Sequence, residues 1–217
     1  LNTGKIKYDH METFKDRMKE KHSGWGSHQA VLLDTLGRTD KPVLELGAGA
    51  WSTVQIHDAL KNRGIKFLTI EANQKWIDMY IHLKTKLHDL RCVPDSDMPA
   101  FYALDDVEWG LVFIDNSTWR ARKLAIQKYK DVADYIVLHD CDAILKKSHT
   151  FGRTIRRING AENDPGVRDY SKTFKYWIEF FIEDWKQRHP PVLLASNKVC
   201  LDNIEEIYGM IISNRNA

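Results

Sequence analysis

The sequence predicts an α/β fold, a mostly parallel sheet with helices on both faces, and three observations predict it. Short apolar runs alternate with longer stretches of helical periodicity along most of the chain. The runs are apolar at consecutive positions, so strands formed from them bury both faces. The first run ends in a glycine turn, "GAGAWS", which leads directly into a helical pattern, as at a strand–turn–helix ligand site. With 217 residues, 43% hydrophobic and 29% charged, the chain suits one globular domain with a substantial core.

The elements follow in order. Residues 1–40 read as an N-terminal helical lid. Within them "HSGWGSH" (His22 to His28) precedes the helical run "HQAVLLDTL". There Trp25 and His28 line a substrate mouth, or Ser27 opens the helix as an N-cap and Trp25 packs on it. "PVLEL" (Pro42–Leu46) is the first strand, and "STVQIHDALKNRG" a helix with Ser52 as N-cap and Gly64 at its end. "KFLTIEA" is the second strand. "NQKWIDMYIHLKTKL" is a helix with Trp76, Met79, Tyr80 and Leu83 on one stripe. "LRCVPD", "WGLVFID" and "DYIVLHD" are the third, fourth and fifth strands, and "TWRARKLAIQKYKDV" is a helix between the last two. "TFKYWIEFFIEDW" fits a strand or a helix equally, whereas "PPVLLAS" (Pro190–Ser196) is a strand. Lys146 to Arg168 is basic and aperiodic, a long excursion.

Composition narrows the function. No apolar run has membrane-spanning length, and the polar N-terminal stretch does not read as a signal peptide. Cys92, Cys141 and Cys200 stand far apart without a CxxC pair, which suggests reduced thiols and a cytoplasmic location. A formal net charge of +2 gives no overall nucleic-acid signature.

Chemistry concentrates at the strand ends. Gly47 can take a tight turn and Gly49 lets backbone approach a ligand, while Ser52 stands where a dinucleotide fingerprint has its third glycine. Glu45, in the apolar run, would repel a pyrophosphate but suits an ammonium or a sulfonium. Glu71 lies 22 residues after Gly49, near the ~20-residue spacing at which an acid meets ribose hydroxyls. Alternatively it caps the helix opening at Asn73.

"VLELGAGAWST", "LTIEA", "VFIDNSTW" and "YIVLHDCD", in this order between Val43 and Asp142, resemble the motifs of the class I S-adenosylmethionine-dependent methyltransferases. The resemblance implies a Rossmann-like, seven-stranded sheet of order 3-2-1-4-5-7-6 with strand seven antiparallel. It also implies S-adenosyl-L-methionine as cofactor. Its expected contacts are Glu45, Gly47, Gly49, Ser52, Glu71, Ala72, Asp95, Ser96 and Asp115. Gly47 and Gly49 would face the methionine, Glu71 the ribose, and the segment from Asp95 the adenine. The chain looks nearest to small O-methyltransferases acting on sugars and other small molecules, including metal-dependent ones. "NSTWR" replaces the Gly/His turn of those enzymes.

Ligands of such sheets sit at the carboxyl ends of the strands. The groups delivered there are Asp115, Asn116, His139, Asp140 and Asp142. His139, with Asp115 and Asp140, is the expected catalytic set, His139 taking a hydroxyl proton. Asp115 and Asp140 offer hard oxygens for Mg²⁺ or Mn²⁺, or they cap the helices that follow. Residues 146–172 form an inserted substrate-recognition segment. Its Arg153 and Arg157, with Trp25 and His28, are the expected substrate contacts and suit an anionic acceptor; otherwise the basic segment is a solvated face. The sequence therefore points to O-methylation of a small-molecule or sugar hydroxyl, with no membrane partner. The alternatives are a ribose methyltransferase acting on RNA and a non-catalytic binding protein. No Asn/Asp-Pro-Pro-aromatic motif follows the fourth strand, and Glu45 with the missing third glycine disfavours an NAD enzyme.

Overall fold

The computed structural model describes residues 26–141, 170–180, 192–201 and 211–213. Helix α1 (Gln29–Leu36) is followed by strand β1 (Val43–Leu46), α2 (Thr53–Leu60), β2 (Phe67–Glu71) and α3 (Gln74–Tyr80). Then come β3 (His88–Cys92), α4 (Met98–Leu104), β4 (Leu111–Ile114), α5 (Trp119–Tyr129) and β5 (Tyr135–Leu138). The remaining elements are α6 (Tyr170–Thr173), β6 (Tyr176–Phe180), β7 (Val192–Ser196) and β8 (Ile211–Ser213). The strands form one sheet in the order β3-β2-β1-β4-β5-β7-β6-β8. β1 to β5 are parallel, and β7 runs antiparallel to both β5 and β6. The expected seven-strand order holds, with β8 added outside β6.

Alternation along the strands builds two apolar layers. Leu44, Leu46, Val112, Ile114, Ile136 and Leu138 face one way, with Ala125, Ile126 and Tyr129 of α5 among their partners. Val43, Leu111, Phe113 and Val137 face the other, under Val31, Leu32 and Leu36 of α1 and Ile56 and Leu60 of α2. Every residue of β1, β4 and β5 is buried, as consecutive apolar runs in a doubly covered sheet require.

Some local expectations change. α3 ends at Tyr80 and continues only as a single 3₁₀ turn (Ile81–Leu83), short of the expected Leu87. Ile77 and Tyr80 make its buried face, while Trp76 and Met79 are exposed at 39% and 56%. The third strand starts earlier than expected, at His88. The ambiguous tail segment begins as strand β6, and α4, with a proline in its first turn, was not expected at all. Among the described residues no helix is long and apolar enough to cross a membrane.

Candidate active site

Five loops lie at the carboxyl ends of β1 to β5. After β1 the chain turns at Gly47, whose φ of +100° places it in the region open to glycine. A Cβ there would stand 2.5 Å from the carbonyl oxygen of Asp115, so the turn is pressed against the end of β4. Gly49 differs: a Cβ would meet only Ser52 Oγ at 3.5 Å, so the protein itself leaves room at this position. The Gly49 amide donates to Thr53 Oγ1 (2.9 Å). Ser52 occupies the N-cap position of α2 and is buried, but its side chain makes no capping bond.

Glu71 ties this turn to the end of β2. Its Oε2 accepts from the Ala48 amide (2.9 Å) and its Oε1 from the Asn73 amide (2.8 Å). The helix-opening role and a position beside the glycine turn therefore coexist, because each carboxylate oxygen has a second lone pair. Ala72 follows, its carbonyl accepting from Cys92 Sγ (3.6 Å). Asp95 and Ser96 are exposed beyond the end of β3, with Ser96 Oγ donating to Asp97 (2.9 Å).

Glu45 does not sit where the sequence places it. Its side chain faces α2 rather than the ligand side of the turn, and it is wholly buried. Thr53 Oγ1 (3.0 Å) and Thr69 Oγ1 (2.8 Å) hold its carboxylate. Burial pushes its pKa up to about 8 against the opposing hydroxyl hydrogen bonds, so near neutral pH it is mostly an uncharged acid. A direct contact with a sulfonium is thereby replaced by a position one layer beneath the turn.

At the ends of β4 and β5, His139 Nδ1 lies 3.1 Å from Asp115 Oδ2, and its Nε2 lies 3.0 Å from Ser27 Oγ. Burial opposes charge on His139, but Asp115 at Nδ1 and Asp140, whose Oδ1 is 3.4 Å from Nε2, raise its pKa. For Asp115 burial is likewise outweighed, by His139 and Arg122, and its pKa falls. Asp140 adopts a φ of +52°, uncommon for a residue with a side chain and a mark of local strain at the strand end.

His28 is buried beside His139, their ring centroids 4.5 Å apart, rather than exposed at a mouth. Burial, then the neighbouring His139, depresses its pKa to about 3, so it is neutral. Its Nε2 lies 3.1 Å from the Trp51 carbonyl, which can only accept, so the ring proton sits there. Its Nδ1 is then a bare lone pair, buried without a partner. Asn116 Oδ1 is also buried and unpartnered.

Arg122, on α5, completes the site and was not anticipated. Its Nε donates to the Asn116 carbonyl (2.7 Å), Nη1 to the His139 carbonyl (2.6 Å) and Nη2 to Asp115 Oδ1 (2.8 Å). Nη2 is also 3.5 Å from Asp140 Oδ2. The expected Mg²⁺ or Mn²⁺ site between Asp115 and Asp140 is therefore held by a guanidinium. His28, Asp115 and His139 do bring ligand atoms within 4.8 Å of one another. Asp115 Oδ1, however, is engaged by the Arg122 guanidinium, and a dication there would add charge to charge. The pair expected to hold the ion, Asp115 and Asp140, is bridged by Arg122 instead, and an ion would have to use His28, Asp115 and His139. Trp25, Arg153 and Arg157, expected at the acceptor, lie with Asp142 outside the described residues.

No protein-family profile and no curated protein matches the chain. Solved structures do. A Klebsiella pneumoniae protein described as a candidate O-methyltransferase superposes at TM-score 0.51, with 16% identity over 87% of this chain and 89% of that one. Spermidine synthase from Thermotoga maritima does so at 0.52, with 12% identity over 80% of this chain and 59% of that one. WbdD is similar at 0.46 with 17% identity, over 76% of this chain, which spans only 39% of the WbdD chain. The chain has the class I methyltransferase fold.

Proposed function

We propose that the chain is an S-adenosylmethionine-dependent methyltransferase acting on a hydroxyl of a small molecule or sugar. The fold leaves the transferred group open, since a spermidine synthase shares it. The observation that carries the reading is the Asp115–His139 pair with Nε2 turned to a hydroxyl, that of Ser27, at 3.0 Å. Asp115 Oδ2, 3.1 Å from Nδ1, favours the ring proton there. Nε2, 3.0 Å from Ser27 Oγ and 3.4 Å from Asp140 Oδ1, is then the nitrogen that accepts a hydroxyl proton. Arg122 holds Asp115 in place and keeps it ionised as the imidazolium forms. An acceptor hydroxyl in the position of Ser27 Oγ would be oriented and deprotonated by the same nitrogen.

The residues present also suit the cofactor. The turn from Ala48 to Gly49 leaves space at Gly49, and Glu71 has lone pairs free for two hydroxyls. Asp95 and Ser96 offer polar groups at the end of β3. S-adenosylmethionine would supply an electrophilic methyl group on sulfur. A cytoplasmic location and recognition of an anionic acceptor by Arg153 and Arg157 belong to the same proposal.

The test is titration calorimetry with S-adenosylmethionine and S-adenosylhomocysteine, followed by transfer of labelled methyl to panels of sugars, phenols and RNA. Micromolar binding and label in a hydroxyl compound are expected. Absence of binding to either nucleoside sinks the proposal, and label found only in RNA replaces the acceptor class.

A further inference from the structure

A polar chain crosses the sheet under α2, in a layer otherwise apolar. Glu45 of β1 and Thr69 of β2 are register partners and so share a face. Phe67, two residues before Thr69, partners His88 of β3 and stacks on its ring at 4.1 Å. The contacts are continuous. Thr69 Oγ1 is 2.8 Å from Glu45 Oε2 and 3.0 Å from His88 Nε2, and His88 Nδ1 is 3.0 Å from His57 Nδ1. His57, on α2, is only half-buried and lines with His88 a pocket of about 340 Å³ at the sheet edge.

We propose that Thr69, His88 and His57 form a proton path between Glu45 and this edge pocket. Through it the carboxylate beneath the glycine turn takes up and releases its proton.

The donor order permits two states with the Glu45–Thr69–His88–His57 bonds all made, while the Leu83 carbonyl also bonds the His88 ring. With Glu45 ionised, Thr69 donates to it and accepts from His88 Nε2–H. His88 Nδ1 then accepts from His57 Nδ1–H, and His57 Nε2 is bare. With Glu45 protonated, the acid donates to Thr69, Thr69 donates to His88 Nε2, and His88 Nδ1–H donates to His57 Nδ1. His57 then carries its proton on Nε2. The states differ by one proton, taken up at His57 Nε2 and counted at Glu45. On the other side Thr53 Oγ1 accepts the Gly49 amide and gives its single proton to Glu45, and the Ser52 hydroxyl also bonds the carboxylate.

The other titratable groups felt by Glu45 are Asp115 and Tyr80. Those near His88 are His57 and Asp89, and Lys61 and Lys86 border the pocket. Burial lowers the pKa of His88 to about 4, helped by His57, which keeps the ring neutral, as a relay requires. The purpose rests on the methyltransferase reading: a cationic sulfonium above the turn would favour the ionised acid and drive its proton out through the edge.

Nitrogen-15 NMR of the ligand-free protein reads the histidine tautomers directly. Between pH 6.5 and 9.5 His88 should change from Nδ1–H to Nε2–H, and His57 from Nε2–H to Nδ1–H, with one midpoint. Glu45→Gln, whose amide does not ionise, should hold His88 in a single tautomer across this range, and Thr69→Val should uncouple both rings from Glu45. A His88 tautomer unchanged across this range overturns the path. Adding S-adenosylmethionine at pH 7 should produce the high-pH tautomers and release about one proton per ligand where the acid was protonated. The pH-driven change without ligand binding leaves the path standing and removes the cofactor. Binding with no tautomer change or proton release removes the path.

Discussion

Replacing Arg122 with methionine keeps the buried stem but deletes three short hydrogen bonds, to the Asn116 carbonyl, the His139 carbonyl and Asp115. The Arg122 side chain is 8% exposed and that of Asp115 24%, so the pair is largely sheltered from solvent. Three charge-assisted bonds at about 1.5–3 kcal/mol each would overcount the effect, because the freed carbonyls can recruit water. Breaking a buried ion pair from one side costs about 3–5 kcal/mol, and that is the expected loss in urea unfolding. Lysine retains the charge but cannot reach all three acceptors, so Arg122→Lys should recover only part. In the methionine variant Asp115 and Asp140 lose their shared cation. Mn²⁺ should then raise the melting temperature of Arg122→Met and leave the parent protein unchanged. At ten times its dissociation constant the gain would be about 1.4 kcal/mol. An Arg122→Met protein within about 0.5 kcal/mol of the parent would refute the reasoning. So would a parent protein that is itself stabilised by Mn²⁺.

Other consequences are simpler to check. Gly47→Ala sets a Cβ against the Asp115 carbonyl at a φ of +100° and should destabilise by about 1–3 kcal/mol on chemical denaturation. Gly49→Val, with space around its Cβ, should melt near the parent temperature yet lose S-adenosylmethionine binding in calorimetry. Glu71→Ala should weaken that binding about 10- to 100-fold, as expected for a lost charged hydrogen bond. Glu45 titrates near 8 in the fold against 4.5 outside it, so its contribution is complete below about 4.5 and is lost as pH rises through 8. Denaturation from pH 5 to 9 should therefore show Glu45→Gln gaining stability relative to the parent as pH rises.

The strands β1, β4 and β5 were legible because both-face burial leaves uninterrupted apolar runs. The strand β6 was not, since Phe174 and Ile178 satisfy both periods and only pairing with β7 decides. The stripe assigned to α3 failed at Trp76 and Met79, because a helix ending at Tyr80 presents a narrower face to the sheet. In the site, Asp115, His139 and Asp140 were readable from their places at strand ends. Arg122 looked like one more charge in "RARK", and nothing local distinguishes a buried guanidinium from a solvated one. Thr69 and His88 were invisible for a related reason. Their partner Glu45 is separated from Thr69 by 24 residues, and periodicity carries no record of a contact made across strands.

Helix α2 meets the sheet through Thr53 and His57, one turn apart, as well as through Ile56 and Leu60. Apolar surfaces tolerate a few degrees of roll, since one methyl contact replaces another. Hydrogen bonds at two points along the axis do not: they index the helix, like pins through a shaft. The glycine turn is continuous with the first residue of that helix, so whatever binds above Gly49 meets a backbone whose rotation is fixed from below.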